Sequence, residues 1–218
     1  FYRSSRHLSD YIRYVITEKG ESAWIAQRNG RTKDGNDVTD QGIIKMFCMS
    51  CAEDKINAID DLHIVPIAVS YEWEPCDVLK TLELYESQFS KYTKKPGEDL
   101  NSILTGIVQE KGRVHFELCE PLSYAELSKF DGLTNNDYHK QVARLIDRRI
   151  HAAYRLYPNN YIAYDLRYGT TKYKHCYTVA EKEAFLKRLQ MLEQYDTCDI
   201  DKLKDIFLGI YSNPVNNK

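Results

Sequence analysis

The sequence predicts an α/β protein: a mixed sheet covered by helices, with a helical C-terminal region. Three observations predict it. A short strand-like run, Ser22 to Gln27, stops abruptly at a charged loop. A second, almost continuous apolar run from Leu62 to Glu72 has the length of a strand. Between and after these runs, apolar residues recur every three or four positions, the period of a helix with one buried face. Strands alternating with helices are the pattern of a sheet that helices cover. At 218 residues the chain suits one domain spanning 1–218, with 178–218 as a helical extension.

Taken in order, Leu8 to Glu18 sets Leu8, Tyr11, Ile12, Val15 and Ile16 on one helix face, and Gly20 ends it. The strand Ser22–Gln27 then runs into a loop that reaches Asp37. Thr39 or Asp40, both good N-caps, opens a helix through Ile43, Ile44, Phe47 and Cys51. The run from Leu62 to Glu72 reads as a strand covered on both faces, with Pro66 pointing to an edge position or a bulge. Asp77 to Tyr92 is helical by its Leu79, Leu82, Tyr85 and Phe89, and Lys94-Lys95-Pro96-Gly97-Glu98-Asp99 is the strongest breaker. A further helix leads to an alternating strand at Arg113–Leu118. Asp137 to Tyr157 is the most convincing long helix, with Pro158 as its stop. Thr178 to Tyr195 and Asp199 to Tyr211 complete the helical end.

Bulk properties narrow the function. The formal net charge is −2, so no overall basic field argues for nucleic acid, and no RNP-like aromatic strand is present. No apolar run approaches the roughly 20 residues that span a bilayer. Seventeen tyrosines, many within Tyr154–Tyr177, suit half-buried packing with the hydroxyl turned to water or a backbone group. Six cysteines need no disulfide framework in a chain of this size, and a reducing cytoplasm is the default. Cys48-Met49-Ser50-Cys51 has neither a second cysteine pair nor a histidine pair at zinc spacing, and reads as buried helix cysteines. The sequence therefore implies no metal and no cofactor.

The chemistry concentrates in Gln27-Arg28-Asn29-Gly30-Arg31-Thr32-Lys33-Asp34-Gly35. Binding a phosphate or carboxylate calls for planar Arg forks, backbone N–H groups from a glycine turn and a nearby helix start. Arg28, Arg31 and Lys33 around Gly30, ahead of a capped helix, offer all three. The alternative is an ordinary solvated loop.

Ile25-Ala26-Gln27-Arg28-Asn29-Gly30-Arg31-Thr32-Lys33-Asp34, then Ile43-Ile44-Lys45-Met46, then Ile64-Val65-Pro66-Ile67-Ala68-Val69-Ser70-Tyr71-Glu72 resemble the glycerol-3-phosphate and lysophosphatidate acyltransferase family. The likeness is closest to bacterial members, and its order and spacing extend over most of the chain. It implies that Gly30 and Arg31 belong to the loop that binds the acceptor phosphate, with Arg28, Asn29, Lys33 and Lys45 beside it, and that Pro66 marks a later strand. Asn29 stands where the family usually has Glu, so any role of that carboxylate is lost here.

The resemblance also implies a general base, a His-x-x-x-x-Asp motif upstream of the phosphate loop. None of the six histidines has Asp five residues on; His115 with Glu120 comes nearest, downstream of the loop. No catalytic residue is thus identifiable within the chain. Phe1 is not an initiator Met, and the expectation is that the chain is the C-terminal part of a longer acyltransferase whose base lies before it. By this resemblance the enzyme moves an acyl group from acyl-carrier protein, acyl-CoA or acyl phosphate to a glycerophosphate-like or lysophospholipid acceptor in phospholipid biosynthesis. It would act in the cytoplasm at the inner face of the membrane, through peripheral contact. A cationic helix face (Lys140, Arg144, Arg148, Arg149, Arg155) suits anionic headgroups or an acidic carrier, or is a solvated stripe. The competing reading is a phosphate- or lipid-binding module without turnover; RNA binding through the basic helix and tyrosines is weaker.

Overall fold

A computed structural model describes residues 2–28, 30 and 32–218. It is mostly helical, with one two-stranded antiparallel sheet among the described residues. The chain gathers into two compact units. One comprises Phe1–Arg31, Val38–Ala68 and Glu117–Ala153; the other comprises Thr32–Asp37, Val69–Phe116 and Tyr154–Lys218.

The first unit is built from α1 (Tyr2–Arg13), α2 (Gln41–Cys48), α3 (Lys55–Asp60), α6 (Tyr124–Leu127) and α7 (Asn135–Ala153). Caps decide where its short helices start. Asp40 accepts the Gly42 amide at 2.7 Å ahead of α2, and Asp54 accepts those of Ile56 and Asn57 ahead of α3. Ile44, Ile59, Leu127, Tyr138 and Val142 are completely buried in its core. Truncating such an isoleucine to Ala costs about 2–5 kcal/mol. Arg13 fixes the end of α1: its guanidinium donates to Ser50 Oγ (2.9 Å), Asp61 Oδ2 (2.8 Å) and the Ala58 carbonyl (2.7 Å). Beyond it Tyr14–Glu18 widens into a π-turn rather than continuing the expected α-helix.

The second unit holds α4 (Asp77–Ser87), α5 (Glu98–Val108), α8 (Pro158–Tyr168), α9 (Val179–Gln190) and α10 (Ile200–Asn216). The helices of 178–218 supply its core: Phe185, Leu192, Leu203 and Phe207 are fully buried, and Trp73 stacks on Phe185 with centroids 6.0 Å apart. A polar knot lies inside it. Fully buried Asp77 accepts two hydrogen bonds from Arg188 (both 2.8 Å) and one from the Tyr211 hydroxyl (2.7 Å), which itself accepts the Glu74 amide. Burial, with the Asp77 charge beside it, pushes the Tyr211 hydroxyl far above its ordinary range, so it stays a donor. Pro158 opens α8 instead of merely stopping α7; at the first helical position its missing N–H costs nothing and its φ is preset.

Strands β1 (Ile67–Tyr71) and β2 (Val114–Leu118) pair antiparallel, with the Glu72 amide on the Arg113 carbonyl at one end and the Cys119 amide on the Pro66 carbonyl at the other. This corrects two expectations. The run Leu62–Glu72 is not a strand covered on both faces: Leu62 and His63 close the turn after α3, Pro66 has no N–H to give a ladder, and only Ala68 and Ser70 of β1 are buried. The run Ser22–Gln27 forms no strand and joins no ladder; Trp24 is 74 % exposed. A sequence period can favour extended chain, but a strand also needs a neighbour to receive its hydrogen bonds.

Candidate functional site

The charged loop is tied at its base within the first unit. The Asp40 amide donates to the Gln27 carbonyl at 2.8 Å, so the chain leaves and returns through one neck. Beside the neck, Thr39 donates both its amide (2.8 Å) and its hydroxyl (2.6 Å) to Asp147 Oδ1 on α7. Nothing in the local pattern announces that pairing across 108 residues. Arg28 is half-buried, and Gly30 takes φ 75°, a left-handed conformation that turns the backbone at little cost only for glycine. Lys45 is exposed in the last turn of α2. The Asn29 and Arg31 assignments fall outside the described residues.

The loop's tip, Thr32–Asp37, belongs to the second unit. Lys33, expected at the anion, is paired with Glu83 of α4. Thr32 donates to Asp37, and the Asp34 side chain accepts the Asn36 amide in an Asx turn. The Asp34 carbonyl accepts Asn213 Nδ2 of α10 at 2.7 Å. Gly35, with φ 73°, lies against α10 so closely that a Cβ there would stand 2.1 Å from the Ile210 carbonyl oxygen.

Gln27 and Thr39, the residues that flank the neck, also line a cavity of about 850 Å³ in the first unit. Its walls are aliphatic: Ile12 and Ile16 from the N-terminal helix, Ile43 and Ile44 from α2, Ile64 to Ile67 before and at the start of β1, Ile146 and Ile150 from α7. Trp24-Ile25-Ala26 also line it, and Glu21, Ser22, His63, Thr39 and Gln27 are its polar members. Gln27 Nε2 is buried without a hydrogen-bond partner among the described residues, an unsatisfied donor in the wall. His63 holds φ 46°, unusual outside glycine, and is exposed. The space falls within the size of small-molecule sites, and an apolar wall with a few polar groups is what such sites offer. Both apolar runs stand out in the sequence as strand candidates; in the fold residues of both line one cavity.

Nearby titratable groups are tuned by burial. His139 of α7 is buried, and desolvation, reinforced by the charges of Lys45 and Lys55, holds its pKa below the ordinary histidine value. The Cys48 thiol is pushed up to about 12 by burial, against the opposing charge of Arg13, which makes it an inert core thiol. On the cationic face of α7, Arg144 and Arg148 are exposed, while Arg149 turns in to Glu126 at 2.7 Å and Lys140 lies 3.4 Å from Asp137. No helix among the described residues is long and apolar enough to cross a membrane. Comparison with family models, curated proteins and solved structures finds no match.

Proposed function

We propose that this chain carries the acceptor side of a glycerolipid acyltransferase. In this reading the Arg28–Lys33 loop holds the phosphate of a glycerophosphate or lysophospholipid, and Lys45 adds positive charge nearby. The carrying observation is the cavity of about 850 Å³, mostly aliphatic, whose lining includes Gln27 and Thr39 at the loop's neck. An amphiphile with an anionic head and an apolar tail asks for this pairing of surfaces. The acyl donor would be a thioester or acyl phosphate, and the base that deprotonates the acceptor hydroxyl is assigned to no residue of this chain.

The second reading, a lipid- or phosphate-binding module without turnover, is favoured by the lack of any His-x-x-x-x-Asp in the 218 residues. Both readings require binding, so binding is measured first. Titration calorimetry with glycerol 3-phosphate and with lysophosphatidate should show both bound by the chain and both lost in Arg31→Ala. Val65→Trp, which fills the cavity from a 40 % exposed position, should weaken lysophosphatidate alone. Unchanged affinity in Arg31→Ala would sink the loop assignment. Acyl transfer by the full-length gene product, abolished by Arg31→Ala, separates enzyme from module.

A further inference from the structure

The outer edge of β2 is open. The Glu72 amide meets the Arg113 carbonyl and the Cys119 amide meets the Pro66 carbonyl, which sets Glu72 opposite Arg113 and Pro66 opposite Cys119. In that register His115 and Glu117 turn their backbone groups towards β1, while Val114, Phe116 and Leu118 turn theirs away from it. The sheet has no third strand among the described residues, so the outward amides and carbonyls meet no ladder. Natural edges are guarded by Lys, by Pro, by a bulge or by a covering element. Val114-His115-Phe116-Glu117-Leu118 contains neither Lys nor Pro, and its Val114, Phe116 and Leu118 are 53, 55 and 65 % exposed on a single face.

The strand's own sequence says what fits this edge. Laid antiparallel on a second copy with Phe116 opposite itself, it sets Val114 opposite Leu118 of the other copy, and every outward amide and carbonyl of both strands is bonded. On the other face His115 comes opposite Glu117 of the other copy, where an imidazole N–H meets a carboxylate. Both residues already have an interaction within their own chain, and the contact between copies adds to it. The two neighbouring registers that keep the outward groups in phase are worse. One sets Glu117 against Glu117, the other His115 against His115, and each leaves an outward residue beyond the strand's end. A strand complementary to itself in one register selects a second copy over an extended segment of some other protein. Pairing uses the same edge on both copies, so it closes at two.

We propose that β2 is a self-association edge: two copies of this chain pair β2 to β2 antiparallel about Phe116, joining their two-stranded sheets into one. Phe116 packs on Phe116 across the axis, with Val114 and Leu118 on either side. The surface is one short strand per copy, so the dimer belongs to the small, readily reversed class of interfaces. This assignment does not depend on what the Arg28–Lys33 loop binds.

Sedimentation velocity of the full 218-residue chain, over a concentration series reaching its solubility limit, tests it. The parent should pass from monomer to dimer and no further. Amide exchange at Val114, Phe116 and Leu118 should slow as the dimer fills, while His115 and Glu117, bonded to β1, change little. Phe116→Lys and Phe116→Glu each set like charges against each other at the axis, and each should raise the dimer dissociation constant about tenfold or more. Mixed in equal amounts, the two variants should dimerise again, because in this register position 116 faces itself. Phe116 is more than half exposed, so neither variant should alter the far-ultraviolet spectrum. A parent that stays monomeric overturns the assignment and leaves the edge to a strand of another protein. It is equally overturned if either variant dimerises as the parent does, which places the contact elsewhere on the surface, or if the mixture of variants stays monomeric.

Discussion

Replacing Asp77 with Ala should be the most damaging single change in the second unit, and its cost can be worked from the geometry. The carboxylate is fully buried and accepts from Arg188 Nε and Nη2 (2.8 Å each), from the Tyr211 hydroxyl (2.7 Å) and from the Val78 amide (2.7 Å). Its removal leaves a guanidinium whose side chain is only 20 % exposed without its counter-charge, and a buried hydroxyl without its acceptor. Breaking a buried pair from one side costs about 3–5 kcal/mol. Losing the Tyr211 bond adds about 1 kcal/mol. Replacing both partners at once, Asp77→Asn with Arg188→Met, removes the stranded charge. The double variant should therefore lose less than the sum of its singles, by about 0.5–3 kcal/mol. Urea unfolding followed by Trp73 fluorescence in a Trp24→Phe background reads this unit directly, because Trp73 packs on Phe185 and meets Tyr211 edge-on. A loss under about 1 kcal/mol in Asp77→Ala, or strictly additive singles, would refute the reasoning.

Two further outcomes follow from the first unit and from the loop tip. His139 has a folded pKa below its unfolded value, so above the unfolded value it contributes no pH dependence. As pH falls through the ordinary histidine value of 6.5 towards the lower folded pKa, the unfolded chain takes up a proton that the folded chain refuses, and stability is lost. His139→Gln should flatten that limb of the stability curve, and Lys45→Gln should raise the His139 pKa in an NMR titration; an unchanged limb and pKa would discount the burial and charge argument. Gly35→Ala should cost well over 1 kcal/mol, because the added carbon meets the Ile210 carbonyl. Gly30→Ala, whose Cβ meets nothing within 4 Å, should cost about 1 kcal/mol for its left-handed backbone alone, with thermal melts comparing the two.

What the sequence discloses is periodic or local. Ile12 of α1, Ile44 and Phe47 of α2, and the apolar faces of α7 and α10 announce themselves by helical spacing, and Asp40 and Thr178 announce helix starts by their capping chemistry. The six residues of α3 are too few to show a period and form because Asp54 caps them and Ile56 and Ile59 find a core. Pro158 marks a boundary in either reading, but the residue alone does not say which helix it serves. The strand Ser22–Gln27 fails for a different reason: the side-chain pattern is present and the ladder is not. At the candidate site, the glycine turn and its cations are legible as chemistry. The engagement of Lys33 by Glu83, the Asp147 anchor on Thr39 and the cavity are not, because each joins residues far apart in the chain.

The tip of the loop shows why a local pattern needs its tertiary partner. Pro214 lies inside α10 and has no N–H to offer the Ile210 carbonyl one turn back. Left to itself that carbonyl would need water or another donor. Gly35 approaches it so closely that only a hydrogen fits in the direction a side chain would take, which places a weakly polar C–H against the oxygen. Alongside, the Asn213 side chain donates to the Asp34 carbonyl, and Arg167 donates to Asn213 Oδ1 at 3.1 Å while holding Asp205. Glycine in the loop and proline in the helix are therefore two halves of one contact. Each looks like a breaker in its own stretch of sequence, and together they fix Thr32–Asp37 on a rigid helix. On the proposed function, fastening the tip at Gly35 would lower the entropy lost when the loop binds an anion. Gly35→Ala should accordingly weaken anion binding as well as stability, and Arg31→Ala should weaken binding.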